Sequence, residues 1–311
     1  MMGHRMPIRV GSLLASLVFA QPPVAQDIMD LEACRLSVSV DNAVDWRGLY
    51  GRGYEVFEPA ENFEVVAVQV RHEGPACRFF LSAAPLGEAG SPALQGSGES
   101  LLYDLRRMPD GPSILSPDYL GSEFSRIVGQ FGEGVTSQVY QIYLAIPSSQ
   151  LVGGGTYTGQ AIVRVFRDDP DGPSLADEAG IAVSVPVASV LNVEPSDAAP
   201  GLRTMDIDLG TLSLPVERSL GFEIRSNAPV RAQVASQNRG MLAHFAGAPG
   251  IPYRVTIGGA LVDLAIPRAE VTITQLKTLE RSLPMVITVD GAENAAAGQY
   301  SDTMTITFIA D

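Results

Sequence analysis

Few residues in this chain are of the types that do chemistry. Beyond position 25 there are two cysteines, Cys34 and Cys77, and two histidines, His72 and His244. A thiol pair can cross-link or hold a soft metal, and a histidine can ligate a metal or carry a proton. Neither histidine has a partner at metal-ligand spacing, so each reads as an exposed strand or loop residue. Gly51-Arg52-Gly53 and Gly132-Glu133-Gly134 are turn glycines; nucleophile elbows and phosphate-binding loops are missing. The acidic stretch Arg167 to Ala179 lacks the alternate acids and final glutamate of a calcium loop, and its prolines and glycine give it the composition of a linker. The expectation is no metal, no cofactor and no enzyme, although carboxylates brought together from separate strands cannot be read off a sequence. The formal charge of −14 argues against a nucleic-acid partner, which needs a basic face.

The thiols must be placed by compartment. Arg5 and Arg9 precede a short apolar run from Ile8 to Ala20, the pattern of an export leader and too short for a membrane span. Cleavage after Ala20 fits the small-residue rule, and cleavage after Ala25 has Pro23 against it. Removing residues 1–25 makes the chain two charges more negative. In an exported chain an isolated cysteine pair forms one disulfide, here Cys34 to Cys77, worth roughly 3–4 kcal/mol; two buried free thiols are the alternative.

The elements that position these residues are strands. Tyr300, Asp302, Met304, Ile306 and Phe308 alternate with Ser301, Thr303, Thr305 and Thr307, the period of a half-buried strand. The same pattern occurs at Tyr157, Gly159, Ala161, Val163 and Val165, and each copy follows a turn glycine, Gly155 or Gly298. Shorter alternations recur throughout: Leu36 to Val40, Phe63 to Arg71, Tyr140 to Ile146, Ala182 to Val187, Val230 to Val234 and Tyr253 to Ile257. Runs of period 3.6 are missing. The pattern predicts an all-β chain of two tandem immunoglobulin-like β-sandwiches: 29–167, a linker 168–180, and 181–311.

Together these segments resemble the spore coat protein U family, subunits of archaic, Csu-type chaperone–usher pili. The resemblance rests on Cys34 and Cys77, Leu102-Tyr103-Asp104-Leu105, Tyr143 to Pro147 and Gly155 to Gly159 in the first half. In the second it rests on Ser226 to Pro229, Ser236 to Gly240, Ile251-Pro252-Tyr253 and Ala297 to Asp302. Gly159 standing where the other copy has Asp302, and the long loop 108–131, depart from it. The resemblance implies that the C-terminal sandwich is an incomplete pilin domain. Its groove, bordered by Tyr300, Asp302, Met304, Ile306 and Phe308, is filled first by a periplasmic chaperone and then by a strand from the adjacent subunit, at an outer-membrane usher. Two units resemble a tip adhesin, exported through the periplasm to the cell surface and serving attachment and biofilm formation. The short acidic stretch Gln26 to Ala33 makes a poor donor strand, which agrees with a tip position. Candidate adhesive loops to a surface or host receptor carry Ile114, Leu115, Tyr119 and Leu120, and Trp46, Leu49 and Tyr50, because Pro and Gly around them favour exposure. Trp46 and Tyr50 packing beneath their loop is the alternative. A free secreted carbohydrate-binding or cell-coat sandwich is the other reading of the whole chain.

Overall fold

The computed structural model describes residues 33–41, 43–86, 90–196, 201, 203–274 and 277–311. The expected export leader and both of its expected cleavage positions lie outside them. The described residues are all-β, in two units, each with two facing sheets and its own apolar core.

In the first unit one sheet runs Arg35–Val40, Asn62–Glu73, Ser137–Ile146, Asp104–Arg106, antiparallel throughout. The facing sheet runs Ala43–Asp45, Gly172–Val187, Gly155–Asp169, Cys77–Pro85, Ile127–Phe131, with the Ala93–Gly96 and Glu99–Leu102 hairpin attached at Thr158. Alternate side chains fill the space between them: Leu36, Val38, Val66, Val68 and Leu144 from one side, Phe79, Leu81, Val163, Val165, Val183 and Val185 from the other.

The acidic stretch 168–180 is not a linker. Gly155–Asp169 and Gly172–Val187 form one long hairpin, in register from Gly155 opposite Val187 to Asp169 opposite Gly172, with one bulge at Val165/Phe166. Pro170 and Asp171 make the two-residue turn, and Gly172 takes the φ of +119° that closes it. Ile181, Val183, Val185 and Val187 are buried in the first core, so they complete the first unit instead of opening the second. The far half of the hairpin is largely exposed, which explains its polar composition.

In the second unit Leu191–Pro195, Val216–Ser226, Thr278–Val289, Arg254–Ile257 and Ala260–Leu261 form one sheet. Ala269–Thr274, Val230–Ser236 and Met304–Ala310 form the facing one, and Ile251–Pro252, Met241–His244 and Tyr300–Ser301 form a small third sheet. Gly155 and Gly298 both have φ near +150°, at +143° and +150°, as turn glycines at matching places in the two copies.

Cys34 and Cys77 are disulfide-bonded, with Cα atoms 6.2 Å apart. The bond joins the start of Arg35–Val40 in one sheet to the start of Cys77–Pro85 in the other, so it ties the sandwich across its core. His72 is buried beside it, correcting the exposed placement. Its ring stacks on Phe131 at 4.7 Å, and its two nitrogens lie 3.0 and 2.8 Å from the carbonyl oxygens of Val135 and Pro75. The sulfur atoms of Cys34 and Cys77 lie with the His72 ring within 4.8 Å of one another, but bonded sulfurs offer no thiolate to a metal. Reduction of the disulfide, or Cys77→Ser, is expected to cost about 2–5 kcal/mol in chemical unfolding of the first unit. An unchanged denaturation midpoint would contradict the cross-core role.

Candidate functional site

The two copies of the closing strand sit in different surroundings. In the first unit Tyr157, Ala161, Val163 and Val165 are fully buried, and Gly155–Asp169 is paired on both edges: with Gly172–Val187 along its whole length, and with Cys77–Pro85 and Ala93–Gly96 on the other side. In the second unit Met304–Ala310 pairs on one edge only, with Val230–Ser236, from Met304 opposite Ser236 to Ala310 opposite Val230. It is the last strand of its sheet, and among the described residues nothing pairs with its other edge. Met304, Ile306 and Phe308 are half-buried where Ala161, Val163 and Val165 are sealed.

Across the gap stands Leu191–Pro195, the edge strand of the facing sheet. Its Leu191 and Val193 are half-buried, as are Leu220 and Phe222 on the neighbouring Val216–Ser226. The Phe222 and Phe308 rings meet at 5.5 Å across this cleft. A line of alternate apolar side chains thus flanks an unpaired backbone edge, which is the chemistry of a slot for one more strand: main-chain hydrogen bonds along the edge and pockets at every second residue.

The closing strand is one run in sequence and two strands in space. Tyr300–Ser301 pairs with Met241–His244, the chain breaks at Asp302 and Thr303, and Met304–Ala310 then joins the main sheet. Asp302 causes the break. Its carboxylate accepts from Ser236 Oγ at 2.5 Å, Tyr253 OH at 2.6 Å, the Asn238 N–H at 2.9 Å and its neighbour's Thr303 N–H at 2.8 Å. Burial, reinforced by the Asp302 carboxylate, pushes the Tyr253 hydroxyl up from its ordinary value, so it stays a donor. In the first copy a Cβ at Gly159 would come within 2.7 Å of Leu94 Cδ2, so glycine there makes room for the attached hairpin.

The units meet at Asn227, which is fully buried. Its side-chain nitrogen donates to the carbonyls of Val152 at 3.1 Å and Ala188 at 2.9 Å, and its oxygen accepts from the Val190 N–H at 2.7 Å. Beside it Lys277, the one lysine of the sequence, pairs with Glu99 of the first unit. Glu99 also accepts from the Gly153 N–H at 2.8 Å. The hydrogen bond from Lys277 first, and that from Gly153 second, hold the Glu99 carboxyl below its ordinary value.

The candidate adhesive residues separate. Ile114 is core, only 3% exposed, because the bridges of Ser113 to Arg106 and Leu115 to Ala83 pin this stretch against both sheets. Leu115 packs half-buried against the same core. Trp46 is buried, while Leu49 and Tyr50 next to it are exposed. Tyr119 is exposed yet anchored, its ring edge-on to Phe166 at 5.4 Å with the Arg164 guanidinium 4.8 Å away; Leu120 is half-buried. Phe124, not singled out in the sequence, is 88% exposed on the same loop. An apolar ring set among Gly, Ser and Glu was the signal available for it.

No protein-family model matches this chain, and no curated protein sequence does. Among solved structures it is similar to the CupB6 tip adhesin from Pseudomonas aeruginosa, at 15% identity over 89% of this chain and 94% of that one, with a TM-score of 0.48. It is also similar to a chain of the CsuC–CsuE chaperone–tip adhesion subunit complex from Acinetobacter baumannii, at 15% identity, 89% and 99% coverage and a TM-score of 0.39. CfaE, the adhesive subunit of CFA/I fimbria of enterotoxigenic Escherichia coli, matches at 11% identity, 89% and 81% coverage and a TM-score of 0.36. At these scores the functional reading rests on the strand edge and not on the likeness.

Two outcomes follow from the polar anchors. Asp302→Ala leaves two hydroxyls and two N–H groups without this acceptor and is expected to cost the second unit about 2–4 kcal/mol, read as a lowered unfolding midpoint. For Glu99 the folded value lies below the unfolded one, so its contribution is present above the ordinary carboxylate value and is lost as pH falls through the folded one. With its side chain 35% exposed, the pair is worth up to about 1 kcal/mol. The stability gap between wild type and Glu99→Gln should therefore be full at neutral pH and close as pH falls below the ordinary carboxylate value; a constant gap would remove Glu99 as its source.

Proposed function

We propose that this chain is a pilus subunit of the chaperone–usher type, acting as a tip adhesin. In this reading the second unit accepts a strand, first from a periplasmic chaperone and then, at an outer-membrane usher, from an adjacent subunit. The first unit meets the surface to which the cell attaches, and the chain has no enzymatic role. The unpaired outer edge of Met304–Ala310, flanked by half-buried Met304, Ile306 and Phe308, is the observation that carries the proposal. Its weight is energetic. Fully burying one such side chain is worth about 1.5–3 kcal/mol, so sealing the half-exposed faces of six or seven of them yields several kcal/mol, comparable with the whole 5–15 kcal/mol stability of a domain. A unit lacking that contribution is marginal and presents a sticky edge, which a chaperone must cover. The first unit supplies the internal comparison, since Gly172–Val187 fills the corresponding position there.

Within the first unit, Tyr119 and Phe124 are the attachment contacts this reading favours, since Ile114 is committed to the core. Leu120 lies between them.

The test is periplasmic expression of the full chain with and without a co-expressed pilus chaperone. The expected result is soluble material only as a one-to-one complex, lost in Ile306→Asp. A soluble monomer without chaperone, as stable as the complex, would overturn the strand-accepting role. In assembled pili, Tyr119→Ser with Phe124→Ser should reduce attachment severalfold at unchanged pilus number, because exposed side chains contribute little to folding. Unchanged attachment would remove these residues from the contact.

A further inference from the structure

Both walls of the strand slot end at one turn. Residues 226–229 link Val216–Ser226 in one sheet of the second unit to Val230–Ser236 in the other. Ser226 and Asn227 are fully buried there. Ser226 Oγ closes the turn, accepting from the Ala228 N–H at 3.1 Å and donating to the Ala228 carbonyl at 2.8 Å. One wall, Leu191–Pro195, begins at this turn, with Leu191 opposite Ser226. Just before it, Val190 exchanges two hydrogen bonds with Asn227. Its N–H donates to Asn227 Oδ1 at 2.7 Å, and its carbonyl accepts from the Asn227 N–H at 3.3 Å. The other wall, Met304–Ala310, finishes at the same turn. Ala310 stands opposite Val230, and the Asp311 N–H donates to the Pro229 carbonyl at 3.0 Å.

The first unit is fastened to the same turn. Asn227 Nδ2 donates to the Val152 carbonyl at 3.1 Å. Thr278 stands opposite Ser226, and Lys277 beside it pairs with Glu99, which accepts from the Gly153 N–H at 2.8 Å. Both links reach residues 152 and 153, so the placing of the first unit depends on a turn that the slot walls themselves hold.

Those walls are weakly restrained at this end. Each is the outermost strand of its sheet, hydrogen-bonded along one side only among the described residues. Segments with few restraints open locally at lower free energy than strands paired on both sides, and strand ends open first. Opening at Leu191 releases Val190 from Asn227. Opening at Ala310 releases Asp311 from Pro229. Either event removes a restraint from the turn, and the contacts to residues 152 and 153 loosen with it. A strand seated in the slot binds only the closed walls, so it suppresses both openings by mass action.

We propose that filling the slot of the second unit locks the first unit in place. The turn at 226–229 converts strand insertion into a stiff junction, and Asn227 is the positioning residue that passes the change across. This inference rests on the strand-accepting reading and adds a consequence to it: the junction is looser while the slot is empty. The linkage is reciprocal, so a substitution that loosens the junction through this turn weakens strand binding by the same factor.

Amide hydrogen exchange read by mass spectrometry tests this on the full chain in two states. In one the chain is refolded from denaturant and held below about 1 μM, which keeps free edges from associating. In the other it is bound to a co-expressed pilus chaperone. The readout is residues 151–155, which belong to the first unit and form no part of the slot. Their exchange is expected to slow at least about fivefold on chaperone binding, while Cys77–Pro85, in the core of the same unit, stays unchanged. In Asn227→Ala the complex should still form, and the slowing at 151–155 should fall below about twofold. Should that variant fail to fold, the wild-type comparison decides alone. A complex in which 151–155 exchange at the same rate as in the free chain overturns the proposal. Slowing that persists in Asn227→Ala overturns it too, because direct shielding by the chaperone would then account for it. Failure of the wild-type chain to form any complex removes the strand-accepting reading and this inference with it, so the two failures are told apart.

Discussion

A β-strand edge is a row of N–H and C=O groups that must find partners, and the second unit leaves one such row beside an apolar cleft. Sheet edges are ordinarily blunted by charges, prolines, bulges or covering loops. The strand Met304–Ala310 carries neither a charge nor a proline along Met-Thr-Ile-Thr-Phe-Ile-Ala, and among the described residues no strand pairs with its outer edge. Its outward residues are threonines, which favour strands and do nothing to deter another strand. The sequence therefore keeps a pairing surface that a free-standing soluble sandwich would be expected to suppress. The first unit, built on the same closing strand, spends Gly172–Val187 on covering that edge.

The contrast between units also bears on how they are joined. A force applied to the first unit reaches the second through Ala188 to Val190 and the contacts around Asn227. Asn227 binds backbone from both sides of the junction, so its three hydrogen bonds act together and hold the connection in one geometry. The Glu99–Lys277 pair adds a weaker, acid-sensitive contact at the same place. A junction held in this way carries load between the units without first unwinding a linker.

The period-two strands were legible in the sequence because alternation is set by burial on one face, and it appears wherever one face is dry. The hairpin was not. Residues 173–180 extend into solvent on both faces, so they lack alternation, and Pro170-Asp171-Gly172 has linker composition whether it joins domains or turns a strand. Sequence reading therefore assigned Ile181, Val183, Val185 and Val187 to the wrong unit, although their alternation was recognised. Ile114 failed for a related reason. Its burial depends on two isolated bridges to distant strands, and its prolines and glycines look the same on a loop that is pinned down. The Asn227 role was illegible because two of its partners lie 75 and 39 positions away. By contrast, the residues gathered around Asp302, namely Ser236, Asn238 and Tyr253, all fall in segments that carried the family resemblance.

Asp302 shows why those segments belong together. The side-chain period of a strand is two, so a slip of one residue would turn Met304, Ile306 and Phe308 outward and the threonines inward. In the first unit, pairing along both edges fixes the register of the closing strand, and position 159 needs only to be small. With one edge open, half of that restraint is absent. The Asp302 carboxylate replaces it by gripping Ser236, Asn238 and Tyr253 at the head of the strand, and the Gln237 N–H adds a bond to the Thr303 carbonyl. At the far end Arg231 holds Asp311 at 2.7 Å. Fixed at both ends and paired along one side, the strand can present an ordered free edge, and an incoming strand meets a register already set.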